Sequence, residues 1–382
     1  MTRIASFEID AIDLPFRQAF KHSAAERSSS NSLFLRCRTD SGTIGYGECL
    51  PREYVTGESR AGALVMLRDE ILPHLVGRSF SSLEDVERFL GQCDGTTPGW
   101  VPASRPQTAA WSAVDLALLD TFGREFGQAV LARAEQVFPQ GLRYSGVLSA
   151  ERGLGLIKSC LKMRLYALGS VKMKVGRETA DKAVNTAALI LARGSLRVDA
   201  NMAWSPDEAV VAMGKMARHG IRSFEQPIAA ADLDGLSRLV AETGLDVIAD
   251  ESLTDAGSMR RLLEHNACTA VNVRISKCGG IVAACNRCNE ALAAGVKVQL
   301  GCQVGESSLL SAAQMVLAAA VQDVIFIEGC FGHHLLREDP ASPVLQFGYA
   351  GRPPARPRGI GLGVALDESV LRRFSTGHAV VA

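Results

Sequence analysis

From about residue 140 onward, short apolar runs alternate with longer stretches of helical spacing. The runs are RYSGVL, SVKMKVG, LRVDANMAW, SFEQP, DVIADES, AVNVRISKCGG, VKVQLGC and VIFIEG. They recur roughly every 25 residues, about the span of a strand with its crossover helix. Eight such units predict a closed parallel (β/α) barrel. An open doubly wound sheet is the competing architecture. No Gly-x-Gly-x-x-Gly follows the first run, however, and eight strands are many for that fold.

The first third has a different texture. Residues 1 to about 50 alternate like strands, and SLFLRCRTDSGTIGYGECL reads as two strands joined at Asp40-Ser41-Gly42. Residues 59–76 and 82–92 have helical spacing. DGTTPGWVPASRP is a loop, and QTAAWSAVDLALLDTFGREFG is an apolar helix closed by glycine. This part is α+β.

Composition narrows the function. Hydrophobic residues make up 47% of the chain, enough for a large core, and the formal net charge is zero. Neither a nucleic acid nor an anionic membrane is an expected partner. No run is long and apolar enough to cross a bilayer. The opening MTRIASFEIDAIDLPF carries acids and does not read as a signal peptide. Ten irregularly spaced cysteines fit a reducing cytoplasm, and the Cys285-x-x-Cys288 pair reads as structural.

The strand ends carry the chemistry. In SVKMKVG, alternation sends Val171, Met173 and Val175 to one face, and Lys172 and Lys174 to the other. Lysine is rarely buried without a partner. The third run offers Asp199 and Asn201 on one face, the fourth Glu225, and the fifth Asp250 with Ser252 on the same side. The sixth ends in Lys277, before Gly279-Gly280. A parallel barrel brings these ends to one mouth. Three carboxylates there repel one another unless a cation intervenes, and all-oxygen ligands suit Mg2+, with Mn2+ as the alternative. Such an ion can hold a substrate carboxylate and stabilise the dianion left when its α-proton departs. Crowding by Lys172 lowers the pKa of its neighbour, so one lysine can act as base on one face and Lys277 on the other.

These motifs in this order resemble the enolase superfamily, specifically its muconate-lactonizing-enzyme subgroup: KMK, DANMAW, FEQP, IADES and SKCGG. The resemblance covers nearly the whole chain. It implies a modified (β/α)8 TIM-type barrel with an N-terminal α+β capping domain: cap 1–128, barrel 129–350, and a tail 351–382 returning to the cap. It makes Asp199, Glu225 and Asp250 magnesium ligands and Lys174 the acid/base, with Lys172 as its tuning neighbour. Lys277 becomes the opposite base or charge stabiliser. Glu306 in GCQVGES matches an acid near the seventh strand, and Asn201 and Glu251 join it as substrate or supporting residues. Two mobile cap loops near Arg17–Ser30 and Arg52–Gly57 would select the substrate and exclude water. The partner implied is a small carboxylate, bound by a homo-oligomer.

Three departures stand out. Dipeptide epimerases of the subgroup carry Asp-x-Asp at the eighth strand, where this chain aligns Gly329 and Phe331; Glu328 sits one residue earlier. Arg274 replaces a lysine common among relatives and reads as structural. His333 and His334 read as loop residues. The expected function is an isomerase, either racemase/epimerase or cycloisomerase. A lyase resembling o-succinylbenzoate synthase is the alternative. A Schiff-base lysine aldolase is a further one, but it leaves the three carboxylates without a role.

Overall fold

A computed structural model describes residues 1–22, 25–131, 138–149, 153–177, 181–192, 196–321, 323–357 and 359–382. Eight parallel strands follow one another around a barrel in chain order. They are Gly146–Leu148, Val171–Lys174, Leu196–Asp199, Ser223–Glu225, Asp246–Ala249, Ala270–Val273, Lys297–Leu300 and Phe326–Ile327, numbered below as the first to eighth barrel strands. A bridge between Tyr144 and Ile327 closes the ring. Each lies within one of the eight apolar runs.

Local chemistry sets the intervening helices. Pro206–Ala217 begins with Ser205 and Glu208 in a reciprocal capping box, with proline in its first turn. Ala256–Glu264 starts on a second such box, from Asp255 and Ser258. After the eighth strand the chain makes a short 3-10 turn, Gly332–His334, in place of a long helix.

The N-terminal part is an antiparallel sheet in the order Ser375–Val381, Thr2–Ile12, Ser32–Thr39 and Ile44–Cys49. The C-terminal strand therefore pairs with the N-terminal one. Helix Thr108–Glu125 is buried on nearly every side, with Trp111 fully enclosed, as its unbroken apolar pattern predicts. It presses so closely on strand Ile44–Cys49 that a Cβ at Gly47 would sit 1.9 Å from the Ala113 carbonyl oxygen. On its other side Asp115 accepts a hydrogen bond from the Ile281 N–H at 2.7 Å. Gly280 permits this approach: at φ +109° it occupies backbone that favours glycine, and a Cβ there would lie 2.1 Å from Asp115.

The two expected cap loops are more ordered than loops. Pro15–His22 and Ala25–Ser29 form a hairpin; residues 23 and 24, between them, lie outside the described residues. The second is a short helix, Glu53–Thr56. Buried Arg52 anchors it, donating to the carbonyls of Pro51, Ser30 and Val304 at 2.8–2.9 Å. Among the described residues no helix is long and apolar enough to cross a membrane.

Candidate active site

The C-terminal strand ends converge on a cavity of about 670 Å³ between barrel and cap. On the second strand, Val171, Met173 and Val175 pack into the core while Lys172 and Lys174 line this cavity. Lys172 Nζ lies 3.1 Å from Glu225, 3.5 Å from Asp199 and 2.7 Å from Glu328. Burial alone would lower its pKa, but these three carboxylates outweigh burial and hold it above the ordinary lysine value. Lys174 Nζ donates to Asn201 Oδ1 at 3.2 Å and lies 3.8 Å from Asp199. Its pKa is lowered, first by burial and then by the charges of Lys172 and Arg274, against the pull of Asp199. One lysine is thus pinned in its charged form while its neighbour is eased toward the neutral one.

Strand register places Glu225 beside Asp199, and Asp250 two residues beyond the Ile248 that pairs with Glu225. All three acids are fully buried. Single cationic atoms bridge them in pairs. Lys172 spans Asp199 and Glu225, while Arg274 Nη2 bonds Asp250 and lies 3.7 Å from Glu225. Amides of Asn272 and Gln299 each donate to Glu225 at 2.9 Å. Burial works against the charged form of Glu225, yet Lys172, Arg274 and Arg197 together hold its pKa well below the carboxylate range. Asp199 is pushed the other way, by burial and then by Glu225.

Lys277 is completely enclosed. It donates to the Asp250 carbonyl at 2.6 Å, to Asp250 Oδ1 at 2.8 Å and to the Asn272 carbonyl at 2.8 Å. It stands behind Asp250 and is not among the cavity-lining residues. Glu251 lines the cavity, accepts from Asn201 Nδ2 at 3.1 Å, and has its pKa raised to about 8 by burial and by Asp250 and Asp199. Glu328 is also at the cavity, but Lys172 and Arg197 engage both its oxygens. Glu306 is half-buried, accepts from the Gln303 N–H at 2.6 Å, and does not line the cavity.

The donor chemistry fits a hard cation. Buried Asp199 Oδ2 and Glu251 Oε2 have no hydrogen-bond partner; the Lys172 and Lys174 ammonium groups stand 3.5 and 3.8 Å from the first, so Glu251 Oε2 is the oxygen for which burial is costly unless a charge answers it. Among the described residues no three acidic, histidine or cysteine groups already stand in metal-holding arrangement; the Arg274 guanidinium lies between Asp250 and Glu225. Backbone geometry around these acids is also unusual. Asn201, Met202 and Gln226, all non-glycine, take left-handed φ of 43°, 62° and 37° just beyond the third and fourth strands. Such backbone costs about 1–3 kcal/mol per residue and clusters at functional sites.

Arg274 was expected to be structural, yet it lines the cavity and reaches the carboxylates. The signal was there: Asn272 and Arg274 share one parity on the sixth strand, as Arg197 and Asp199 do on the third. His334, expected in a loop, lines the cavity too, with its ring nitrogen 3.0 Å from the Phe347 carbonyl. Tyr54, within the expected Arg52–Gly57 cap segment, also lines it, as do Tyr166 and Phe347, to which no sequence pattern pointed.

A parallel barrel with buried lysines and carboxylates at its mouth, roofed by an α+β cap, defines a TIM-type acid–base enzyme. The chain belongs to the enolase superfamily, within its muconate-lactonizing-enzyme-like group. Residues 156–370 match the enolase C-terminal domain-like family, and residues 8–132 the mandelate racemase / muconate lactonizing enzyme N-terminal domain. The N-succinyl-L-Arg/Lys racemase of Bacillus cereus is 28% identical over 330 residues, 85% of this chain and 86% of that protein. The L-Ala-D/L-Glu epimerase of Clostridium acetobutylicum is 27% identical over 332 residues, covering 85% and 90%. The crystal structure of 2-chloromuconate cycloisomerase from Rhodococcus opacus 1CP superposes with a TM-score of 0.85 at 26% identity, covering 98% and 99%. All three relatives are isomerases, and this chain is an enzyme of that class.

Proposed function

We propose that this enzyme isomerises a small carboxylic acid by removing the proton α to its carboxylate and returning one, with Lys174 as the base. The observation carrying the assignment is the unequal lysine pair: Lys172 clamped by Glu225, Glu328 and Asp199, and Lys174 lowered beside it at the cavity. Lys174 can take a proton on one face and give it back. Lys277, which does not line the cavity, would serve the opposite face only after Asp250 releases it and its ammonium turns toward the substrate.

Asp199, Glu225 and Asp250 would hold Mg2+, or Mn2+ in its place, with Asn201 and Glu251 supporting them. The ion would supply a Lewis acid for the substrate carboxylate. Charge counting supports this reading. Lys172, Lys174, Arg197, Arg274 and Lys277 face Asp199, Glu225, Asp250, Glu251 and Glu328. With Lys174 neutral as the base and Glu251, its pKa raised to about 8, holding its proton, four cations against four acids leave no surplus. A divalent cation would add two positive charges, matching the two negative charges a carboxylic acid carries once its α-proton is gone.

Within this reading residues 1–128 act as the cap, 129–350 as the catalytic barrel, and 351–382 as the returning tail. Pairing of Ser375–Val381 with Thr2–Ile12 supports the last part. Ten free thiols support a reducing cytoplasm. Solvent-deuterium exchange into N-acylamino acids, dipeptides, muconates and hydroxy acids, with added magnesium, tests the function. Deuterium at the α-carbon of at least one class, abolished by chelator and restored by magnesium, is expected. Turnover of a substrate with no α-proton exchange, or exchange indifferent to chelator, would overturn it.

A further inference from the structure

The cavity has two unlike ends. Its floor is the lysine–carboxylate cluster; its far wall is apolar and largely aromatic. Tyr166 follows the helix after the first strand, while Phe331 and His334 follow the eighth, and Phe347 lies further on. The ring closes between those two strands, so these segments meet. Their rings form one connected set: His334 to Phe347 at 4.7 Å between centroids, Phe331 to Phe347 at 5.8 Å, and Tyr166 to His334 at 5.8 Å. Backbone hydrogen bonds from Ala350 to Tyr166 and from Phe347 to Cys330, both 2.9 Å, hold the corner together.

Charge at this end is one-sided. Arg17 and Lys162 stand in the cavity wall as cations. Glu328, just beyond the eighth strand, has both oxygens taken by Lys172 and Arg197. A ligand ammonium placed here would find no carboxylate to answer it, and an unanswered charge out of water is expensive. A flat apolar group would find edge and face contacts with several rings. Aromatic rings can also hold a cation, but two cationic side chains in the same wall oppose that.

The geometry points to a substrate whose carboxylate lies on the charged floor and whose far end is an aromatic group with no free ammonium, gripped by Tyr166, Phe331, His334 and Phe347. This rests on the α-proton reading above and adds the substrate class. It sets the enzyme apart from one selecting dipeptides by their amino terminus.

The test measures α-deuterium exchange by the full-length protein with magnesium on three probes: N-acetylphenylalanine, N-acetylalanine and the free dipeptide Ala-Phe. Burying a phenyl ring contributes enough to raise kcat/KM about tenfold or more. N-acetylphenylalanine is therefore expected to exceed N-acetylalanine by that factor, mostly through KM, and to exceed Ala-Phe as well. Phe331→Ala, at a half-buried position, should bring the ratio of the first two probes toward one. Phe331→Asp should shift preference toward Ala-Phe. Should either variant fail to fold, the wild-type ratios alone decide. Equal rates on the two N-acetyl probes, or a preference for Ala-Phe, would overturn the aromatic-corner assignment and leave the α-proton reading standing. No exchange from any probe, or from the wider acid panel, would overturn both.

Discussion

Away from the barrel mouth, Glu58 in the cap, Asp339 in the barrel and Asp115 between the two are buried, and each accepts hydrogen bonds at the start of a helix. Glu58 takes the N–H groups of Ala109 and Ala110, Asp115 that of Ile281, and Asp339 that of Ser308 with its hydroxyl. At the barrel mouth Asp199, Glu225, Asp250 and Glu251 are equally buried. They are answered mainly by lysine and arginine, and Asp199 Oδ2 and Glu251 Oε2 have no hydrogen-bond partner. A carboxylate on a helix N-terminus is stabilised by fixed dipoles and orphan donors, with nothing left for a ligand. A carboxylate answered by an ammonium or guanidinium group leans on a separate charge that another cation can replace. Burial alone separates neither group; the kind of partner does.

The sharpest way to break this contrast is at the mouth. Lys174→Ala should lower α-proton exchange from one face by about 10²–10⁴-fold while the fold survives. Solvent deuterium entering both faces at the normal rate would remove Lys174 as base. Asp199→Asn should weaken magnesium binding by about tenfold or more, since ligand charge sets affinity at oxygen sites. Titration calorimetry showing unchanged affinity would take Asp199 out of the ligand set.

Substitutions at these helix starts should act on stability instead. Glu58→Ala leaves two buried N–H groups without an acceptor and should cost about 1–3 kcal/mol in denaturant unfolding. The folded fraction should keep its kcat; a tenfold loss would erase the distinction between the regions. A further effect on stability is in pH. Burial pushes Glu48 up to about 8, with the Ser307 hydrogen bonds opposing it. A carboxyl whose folded pKa is raised binds its proton more tightly when folded. Its contribution is complete below the unfolded value near 4.5 and is lost as pH rises toward 8. Wild-type Tm should therefore decline across this range, and Glu48→Gln should flatten the decline.

Much of this was legible before any coordinates. The eight runs foretold eight strands because side-chain alternation and helix spacing are local properties of the chain. Lys172 and Lys174 were placed inward by parity alone. The same parity marks Asn272 and Arg274, but it gives only a direction. It could not say that Arg274 would reach Asp250, or that Lys277 would lie behind Asp250 away from the cavity. Glu306 shows the same limit: its motif placed it near the seventh strand, and the fold turns it to the Gln303 backbone.

By itself, then, the sequence determined the barrel rhythm and the parity that turns Lys172 and Lys174 inward. Each depends on neighbours two to four positions away. Tertiary structure alone decided which cation answers which carboxylate, and that rings from residues 166, 331, 334 and 347 would share one wall. Those outcomes depend on distances through space between segments far apart in the chain. Ring closure and cap docking set such distances, and no local pattern encodes them.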